Sequence, residues 1–280
     1  MKLSILSLQK KETGSVQMPD QFFEPVRFDL IKRAVLSIQN ANRQPYGAFS
    51  EAGKRASAKL SRRRRKYRGS YGHGISRVPR KILSRRGTHF NWVGAFMPGT
   101  VGGRRAHPPK AEKIWTQKIN TQERRKAIRS ALTAAFTKEL VSERGHKVPE
   151  HYPFIVEDSI QQITKTKELL SHLETLGFAE DLARCSERTI RPGRGKMRGR
   201  RYKTKKSLLL VVSGNCPLEK SAHNVLGLDI IQVQNLNAEL LAPGCHAGRM
   251  TLFTQESLKK LDQTKLFMKT VKVAPKEEKK

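Results

Sequence analysis

Cysteine is scarce in this chain of 280 residues: Cys185, Cys216 and Cys245 stand roughly thirty positions apart, odd in number and without a C-x-x-C pair. Neither a disulfide framework nor a zinc knuckle is written in that spacing, and a reducing cytosol is the expected setting. Aromatic residues are also few, 6% of the total, which suits neither a carbohydrate- nor a lipid-binding pocket. Long hydrophobic runs are missing. The longest aliphatic stretch covers 208–212, far short of the ~20 residues of a membrane-spanning helix. No signal segment precedes the first apolar stretch, so a secreted or membrane protein is not expected. Acidic residues are the scarcest of all relative to need, with 24 Asp and Glu against 56 Lys and Arg and a formal charge of +32. Self-repulsion of that size is costly unless an anionic partner neutralises it, and nucleic acid is the usual neutraliser.

What is present is unevenly placed. The length fits one large domain or two ordinary ones, and 37% hydrophobic residues can build one real core. Residues 43–113 hold 19 Lys and Arg with two acids, Glu51 and Glu112, while residues 190–206 hold nine Lys and Arg and no acid. The rest of the chain is close to neutral, with a net charge of only +6. The first basic segment also carries ten of the twenty glycines, and its apolar residues come singly, without a period of 2 or 3.6. Such a composition cannot bury enough surface to offset the entropy of ordering, so it predicts one long extended loop inserted in a globular domain. Loops of this length inside compact domains are usually functional.

The scattered aromatics suit stacking on unpaired bases, and the arginines suit phosphates and base planes. Candidate RNA contacts along the first arm are Arg43, Tyr46, Lys54 and Arg55. The run Arg62-Arg63-Arg64-Arg65-Lys66 follows. A run of this kind is most often a solvated or targeting segment, but here it lies in mid-loop beside Tyr67 and Tyr71, which favours neutralisation of an RNA backbone. Ala52, Ala56 and Ala58 would support a local helix over 51–66. Arg80, Arg85, Arg86, Arg104, Arg105 and His107 complete the set for this segment. In the second, GRGKMRG at 193–199 has no phosphate-loop spacing. Its glycines impose no Cβ bulk and let a basic loop approach a nucleic-acid backbone closely. Arg191, Arg194, Lys196, Arg198, Arg200 and Arg201 are its candidate contacts.

Outside these segments, strand and helix signals alternate. Strands are predicted at 3–8, 154–157, 208–212, 229–233 and 250–253. Helices are predicted at 28–40, 121–144, 165–176 and 218–226, with a last one near the C-terminus. Short apolar strands separated by helices indicate α/β class: a doubly wound, mostly parallel sheet with helices on both faces. The expected layout is a globular domain of 1–42 and 114–262, the loop 43–113 inserted in it, the second basic loop 190–206 within it, and a polar tail 263–280.

An α/β reading obliges a search for catalysis. After the strand ending at Val212, Gly214 to Ser221 matches phosphate-loop spacing except that Glu219 replaces the second glycine. A carboxylate there repels phosphate, and Pro217 removes an amide donor. The eight histidines form no ligand set; His146, His223 and His246 read as surface or capping residues, and His89 lies in the basic loop. No serine sits in a nucleophile elbow. Glu157 and Asp158 end a strand where α/β enzymes place catalysis, yet capping the next turn is the simpler role. No catalytic residue, metal or cofactor is expected.

Three segments resemble a known family. Gln44-Pro45-Tyr46-Gly47, SYGHGISRVPR at 70–80 and GGRRAHPP at 102–109 are similar to the archaeal and eukaryotic branch of large-subunit ribosomal protein four. The likeness continues through Arg144-Gly145-His146, VEDSI at 156–160, RPGRGKMRGRRY at 191–202 and NAELLAPGCHAGRM at 237–250. It reaches about residue 262 and leaves 263–280 without a match. The resemblance implies a Rossmann-like globular domain on the outside of the large subunit, and a loop that threads the rRNA. The loop tip would help form the narrow part of the nascent-peptide exit tunnel beside ribosomal protein twenty-two. It would lie near 66–77, with Tyr67, Arg68, Tyr71, His73 and Arg77 as tunnel candidates. Tyr71-Gly72-His73-Gly74 departs from the eukaryotic Trp-Gly-Thr-Gly. Relatives also bind their own messenger RNA. Partners implied are large-subunit rRNA and neighbouring ribosomal proteins, with no membrane and no small-molecule substrate, in the cytoplasmic ribosome. Two other classes fit parts of the sequence: an RNA-modifying or nucleotide-dependent enzyme on the α/β sheet, and a DNA-compacting protein with the same charge.

Overall fold

The structure, a computed structural model, describes residues 2–268. In it the chain divides into two compact units, Met1–Asn42 with Thr116–Lys280, and Arg43–Trp115.

The first unit begins with strand β1 (Lys2–Leu6), which buries Leu3, Ile5 and Leu6, and β2 (Glu12–Gln17), which returns antiparallel with Lys2 opposite Gln17. Helix α1 (Phe28–Ala41) buries Ile31, Ala34 and Val35, the i, i+3, i+4 stripe expected of an amphipathic helix. Strands β3 (Arg80–Arg86) and β4 (His89–Gly94) belong to the second unit. Helix α2 (Thr121–Phe136) is followed by α3 (Lys138–Glu143) and by β5 (Ile155–Val156). Next come α4 (Thr166–Thr175), α5 (Ala179–Ser186), and the short pair β6 (Thr189–Ile190) and β7 (Tyr202–Lys203). The last third holds β8 (Leu209–Val212), α6 (Leu218–Ala222), β9 (Asp229–Gln232), α7 (Ala238–Leu241), β10 (Thr251–Phe253) and α8 (Gln255–Gln263). Two helix starts carry side-chain caps: Asn237 accepts from the Leu240 amide at 2.9 Å, and Thr254 from the Ser257 amide at 3.4 Å.

The expected Rossmann-like doubly wound sheet is not formed. The strands are short and divide among four small sheets: β2-β1-β5, β10-β8-β9, β3-β4 and β6-β7. The two hairpins are wholly antiparallel, the β2-β1-β5 sheet is mixed, and only β10-β8-β9 is parallel throughout. A doubly wound sheet grows by helical crossovers between parallel neighbours. Here one edge of β1 is taken by a hairpin partner, and a single bridge, Val156 with Thr254, links the two three-stranded sheets.

Side chains of β8 alternate between two cores. Leu209 and Val211 join Ile31, Leu132, Phe136 and Phe253 on one face, and Leu210 and Val212 join Phe154, Leu173 and Phe178 on the other. Both faces of this strand are therefore dry, which explains its unbroken apolar sequence. The helix predicted over 121–144 is two helices, because Thr137 adopts an extended conformation (φ −88°, ψ 106°). Leu266 and Phe267, assigned above to the tail, pack against the first core; residues 269–280 of that tail lie outside the described residues.

Buried polar groups fasten this unit. Arg249 is fully buried; it donates to Asp229 at 2.6 Å, to the Ser207 carbonyl at 2.8 Å and to the Leu240 carbonyl at 3.0 Å. His146 is buried too, against Asp181 at 3.3 Å, and so is not the surface residue its sequence context indicated. Burial alone would raise the Asp181 carboxyl, but hydrogen bonds with His146, Arg184 and Ser207 outweigh it and hold the group below the usual carboxylate range. Ser207 donates to Asp181 and not to the imidazole, so these three residues form a structural network without a nucleophile.

Candidate nucleic-acid interface

The Arg43–Trp115 unit is built without a continuous apolar interior: Ala95 is its one buried hydrophobic residue. Its order comes from other sources. Arg80–Arg86 pairs with His89–Gly94 in a hairpin, with Arg80 opposite Gly94, Arg86 opposite His89 and an irregularity between Ile82 and Ser84. This corrects the expectation of one long extended loop for that stretch. The alternation of Phe90 and Trp92 beside Gly87, which takes φ +57° at the turn, was the available signal. The local helix considered over 51–66 is likewise absent; turns and bridges occupy it.

Elsewhere the two arms run side by side. The Ala48 amide donates to the Pro109 carbonyl at 2.9 Å. A Cβ on Gly103 would come within 1.9 Å of the Met97 carbonyl oxygen, and one on Gly53, at φ +71°, within 2.5 Å of the Arg104 nitrogen. At these two positions only glycine permits the approach.

Aromatic rings carry the arginines. The Arg43 guanidinium lies 3.8 Å from the centre of the Trp115 ring, and Tyr46 stacks on the same indole at 6.1 Å. Arg55 covers Phe49, Arg77 covers Tyr71, Arg80 covers Trp92 and Arg68 covers Tyr67, at 4.7 to 5.7 Å. Arg85 donates to the Tyr67 hydroxyl at 3.0 Å, and Tyr67 meets Phe90 edge-on at 5.2 Å. The rings anticipated as base-stacking platforms are thus partly engaged by the chain's own guanidinium groups.

Most of the predicted contact residues are exposed: Arg43, Tyr46, Lys54, Arg55, Arg62 to Tyr67, Arg85, Arg86, Arg105 and His107. Arg68, Arg80 and Arg104 are half-buried, and Tyr71, His73 and Arg77 are exposed. Among the described residues of this unit there is one ion pair, Arg55 with Glu51 at 3.2 Å, and it is exposed. A groove of about 810 Å³ lies between Tyr46, Trp115 and the run Arg105–Lys113, with Glu112 its single acid. The result is a surface of cations with almost no internal counter-charge.

The second basic segment is also a hairpin. β6 and β7 pair Thr189 with Lys203 and Ile190 with Tyr202, and the Arg191 amide and side chain donate to the carbonyls of Arg201 and Arg200. Gly193 and Gly199 take φ +75° and +76° on either side of the Arg194–Met197 turn. Arg194, Lys196, Arg198, Arg200 and Arg201 are exposed and Arg191 half-buried.

The ends of β5 and β8, where an α/β enzyme would hold its substrate, are filled by the protein's own groups. Asp158 accepts from the Glu256 amide at 2.8 Å, Ser213 donates to the Glu256 carboxylate at 2.7 Å, and Lys260 donates to the Ser213 carbonyl at 2.6 Å. Glu219 accepts from Gln232 at 3.2 Å. Among the described residues no group of three His, Cys, Asp or Glu side chains could hold a metal ion, and no helix is long and apolar enough to cross a membrane.

Fold and surface together define a class: one unit with two apolar cores, and one cationic unit whose charge is left for an external anion. Comparison with known proteins names the family. The model of the ribosomal protein L4/L1 family matches residues 16–264. The large ribosomal subunit protein uL4 of Nanoarchaeum equitans is 48% identical over 268 residues, 95% of this chain and 100% of that one. Those of Methanosphaera stadtmanae and Archaeoglobus fulgidus are each 42% identical, over 93% and 94% of this chain and 96% and 99% of theirs. The chain belongs to the ribosomal protein L4/L1 family. It is a structural, non-enzymatic component of the large ribosomal subunit and works in translation in the cytoplasm.

Proposed function

We propose that the chain binds large-subunit rRNA through the Arg43–Trp115 unit and the β6-β7 hairpin, supports assembly of the subunit, and lends residues 66–77 to the constriction of the nascent-peptide exit tunnel beside ribosomal protein twenty-two. The observation that carries the RNA reading is the unpaired charge: of the 19 cations in 43–113, one has a carboxylate partner. Phosphates packed in folded RNA repel one another, and arginines laid on rigid rings neutralise them while releasing condensed counterions. Arginine also bridges two phosphates or stacks on a base, which lysine does less well. Arg68, His73 and Arg77 are the tunnel-facing candidates, and the relatives' name as large-subunit proteins supports this reading.

The test is binding of the full chain to large-subunit rRNA across a salt series. About ten phosphate contacts on largely single-stranded sites give a slope near −7 in log K against log salt. A slope near zero would overturn the reading. For the tunnel, cryo-electron microscopy of ribosomes carrying a chain without 66–77 should show a wider constriction; an unchanged width would sink that part.

A further inference from the structure

A further cationic surface on the first unit joins the end of the second basic segment to residues outside both basic segments. It is a recess of about 1040 Å³ bordered by Phe28 and Lys32 of α1, Glu143 and Arg144 at the end of α3, Arg184 of α5, residues 203–206 at the end of the second basic segment, and residues 243–247. Glu143 is the one acid on its wall.

Its cations differ in what they already hold. Arg184 pairs with Asp181 at 3.0 Å, Lys205 with Glu187 at 3.0 Å and Lys206 with Asp229 at 2.8 Å. Arg144 has no carboxylate. Its Nη2 donates to the Pro243 carbonyl at 2.8 Å, while its Nη1 is buried and has no partner. Burial, reinforced by the positive charges of Arg249 and Arg184, draws the guanidinium down to about 10, so it stays charged at neutral pH. A buried donor without an acceptor is costly and marks a place where a ligand completes the set.

Phe28 decides which anion fits. Its ring is 55% exposed at the edge of the recess, where an isolated phosphate or a carboxylate would make no use of it. A nucleotide uses both features, placing its phosphate on the guanidinium and its base on the ring. The recess is also continuous in sequence with the basic hairpin through 203–206, so one strand can follow both.

We infer that the recess holds one nucleotide of single-stranded RNA, its phosphate taken by Arg144 and Lys32 and its base stacked on Phe28. This rests on the rRNA-binding reading above and adds contacts from Arg144, Lys32 and Phe28, which lie outside both basic segments.

Three full-length variants test it against large-subunit rRNA in the same salt series, with a thermal melt for each. Arg144→Met should bind roughly tenfold more weakly and lose about 0.7 from the magnitude of the salt slope. Lys32→Ala, on the exposed face of α1, should also lower the slope, by about 0.7 or less. Phe28→Ala should weaken binding roughly fivefold or more with the slope unchanged, because stacking releases no counterion. Wild-type affinity and slope in all folded variants would overturn the inference while leaving the broader reading intact. Failure of the wild-type chain itself to bind would strike the broader reading instead. If Arg144→Met does not fold, Lys32→Ala and Phe28→Ala decide alone. A loss for Lys32→Ala with none for Phe28→Ala would also count against the nucleotide, since it indicates a bare anion or a neighbouring protein's carboxylate.

Discussion

Arg249 and Arg43 each pack tightly, one in either unit, and they do so against different things. Arg249 is enclosed, with a carboxylate at 2.6 Å and four backbone carbonyls within 3.4 Å. Arg43 lies across an indole ring at 3.8 Å and remains exposed. The first unit satisfies its buried charges internally and draws stability from two apolar cores. Among the described residues the second has no such core and a single ion pair, and is shaped by a hairpin, two arms in contact and guanidinium groups resting on rings. A group that has spent its hydrogen bonds inside the protein cannot offer them outside. The contrast therefore separates residues that make the fold from residues available to a partner.

Removing apolar volume should strain the contrast most. Phe253→Ala in the first core should lower the unfolding free energy by about 3–5 kcal/mol, measured by denaturant titration with circular dichroism. Trp92→Ala in the second unit should leave that main transition within about 0.5 kcal/mol. Equal losses would show that the two units unfold as one. Arg249→Met should cost about 3 kcal/mol, since it strips Asp229 of its buried partner, whereas Arg43→Ala should cost no more than about 1 kcal/mol.

Acid should then act on the first unit selectively. The Asp181 carboxyl is held below its ordinary value in the folded chain. Its contribution is therefore complete above the unfolded carboxylate value of about 4 and is lost as pH falls through the lower folded value. Asp181→Asn should flatten the decline of stability below pH ~4, read by melts at stepped pH. An unchanged acid profile would place the sensitivity elsewhere.

The smallest effect on global stability should come from Gly53→Ala, although the added methyl would meet the Arg104 nitrogen on the opposite arm at 2.5 Å. Separation of the arms should speed proteolysis within 43–115 of the free chain and leave the main melt in place. Cleavage that begins in the first unit would contradict the division of the chain into a cored unit and a coreless one.

Several elements were legible in sequence because their signals are local. The predicted helices 28–40 and 165–176 appear as Phe28–Ala41 and Thr166–Thr175, and the strand 208–212 as Leu209–Val212. Others had no local mark. β2 is exposed along most of its length and forms by backbone pairing to β1, so no apolar alternation announced it. α5 is eight residues long and buries only Asp181 and Cys185, too few for a period to emerge. The break at Thr137 interrupts a stripe that reads as continuous. In the candidate interface the basic residues were readable from charge alone, but their seating on Trp115, Phe49 and Trp92 was not. The Arg144 recess had no signal in the sequence, because its walls come from five separated segments.

By itself the sequence determined the charge partition, the absence of a catalytic constellation, and the family likeness, since each depends on which residues are present and on short spacings. Only the tertiary structure decided how the strands divide into small sheets, that a hairpin stiffens the basic segment, and which arginines are already paired. Those outcomes depend on contacts between residues far apart in the chain. Hydrophobic period and local charge do not encode such contacts, and the competition for each buried donor is settled only when the elements pack.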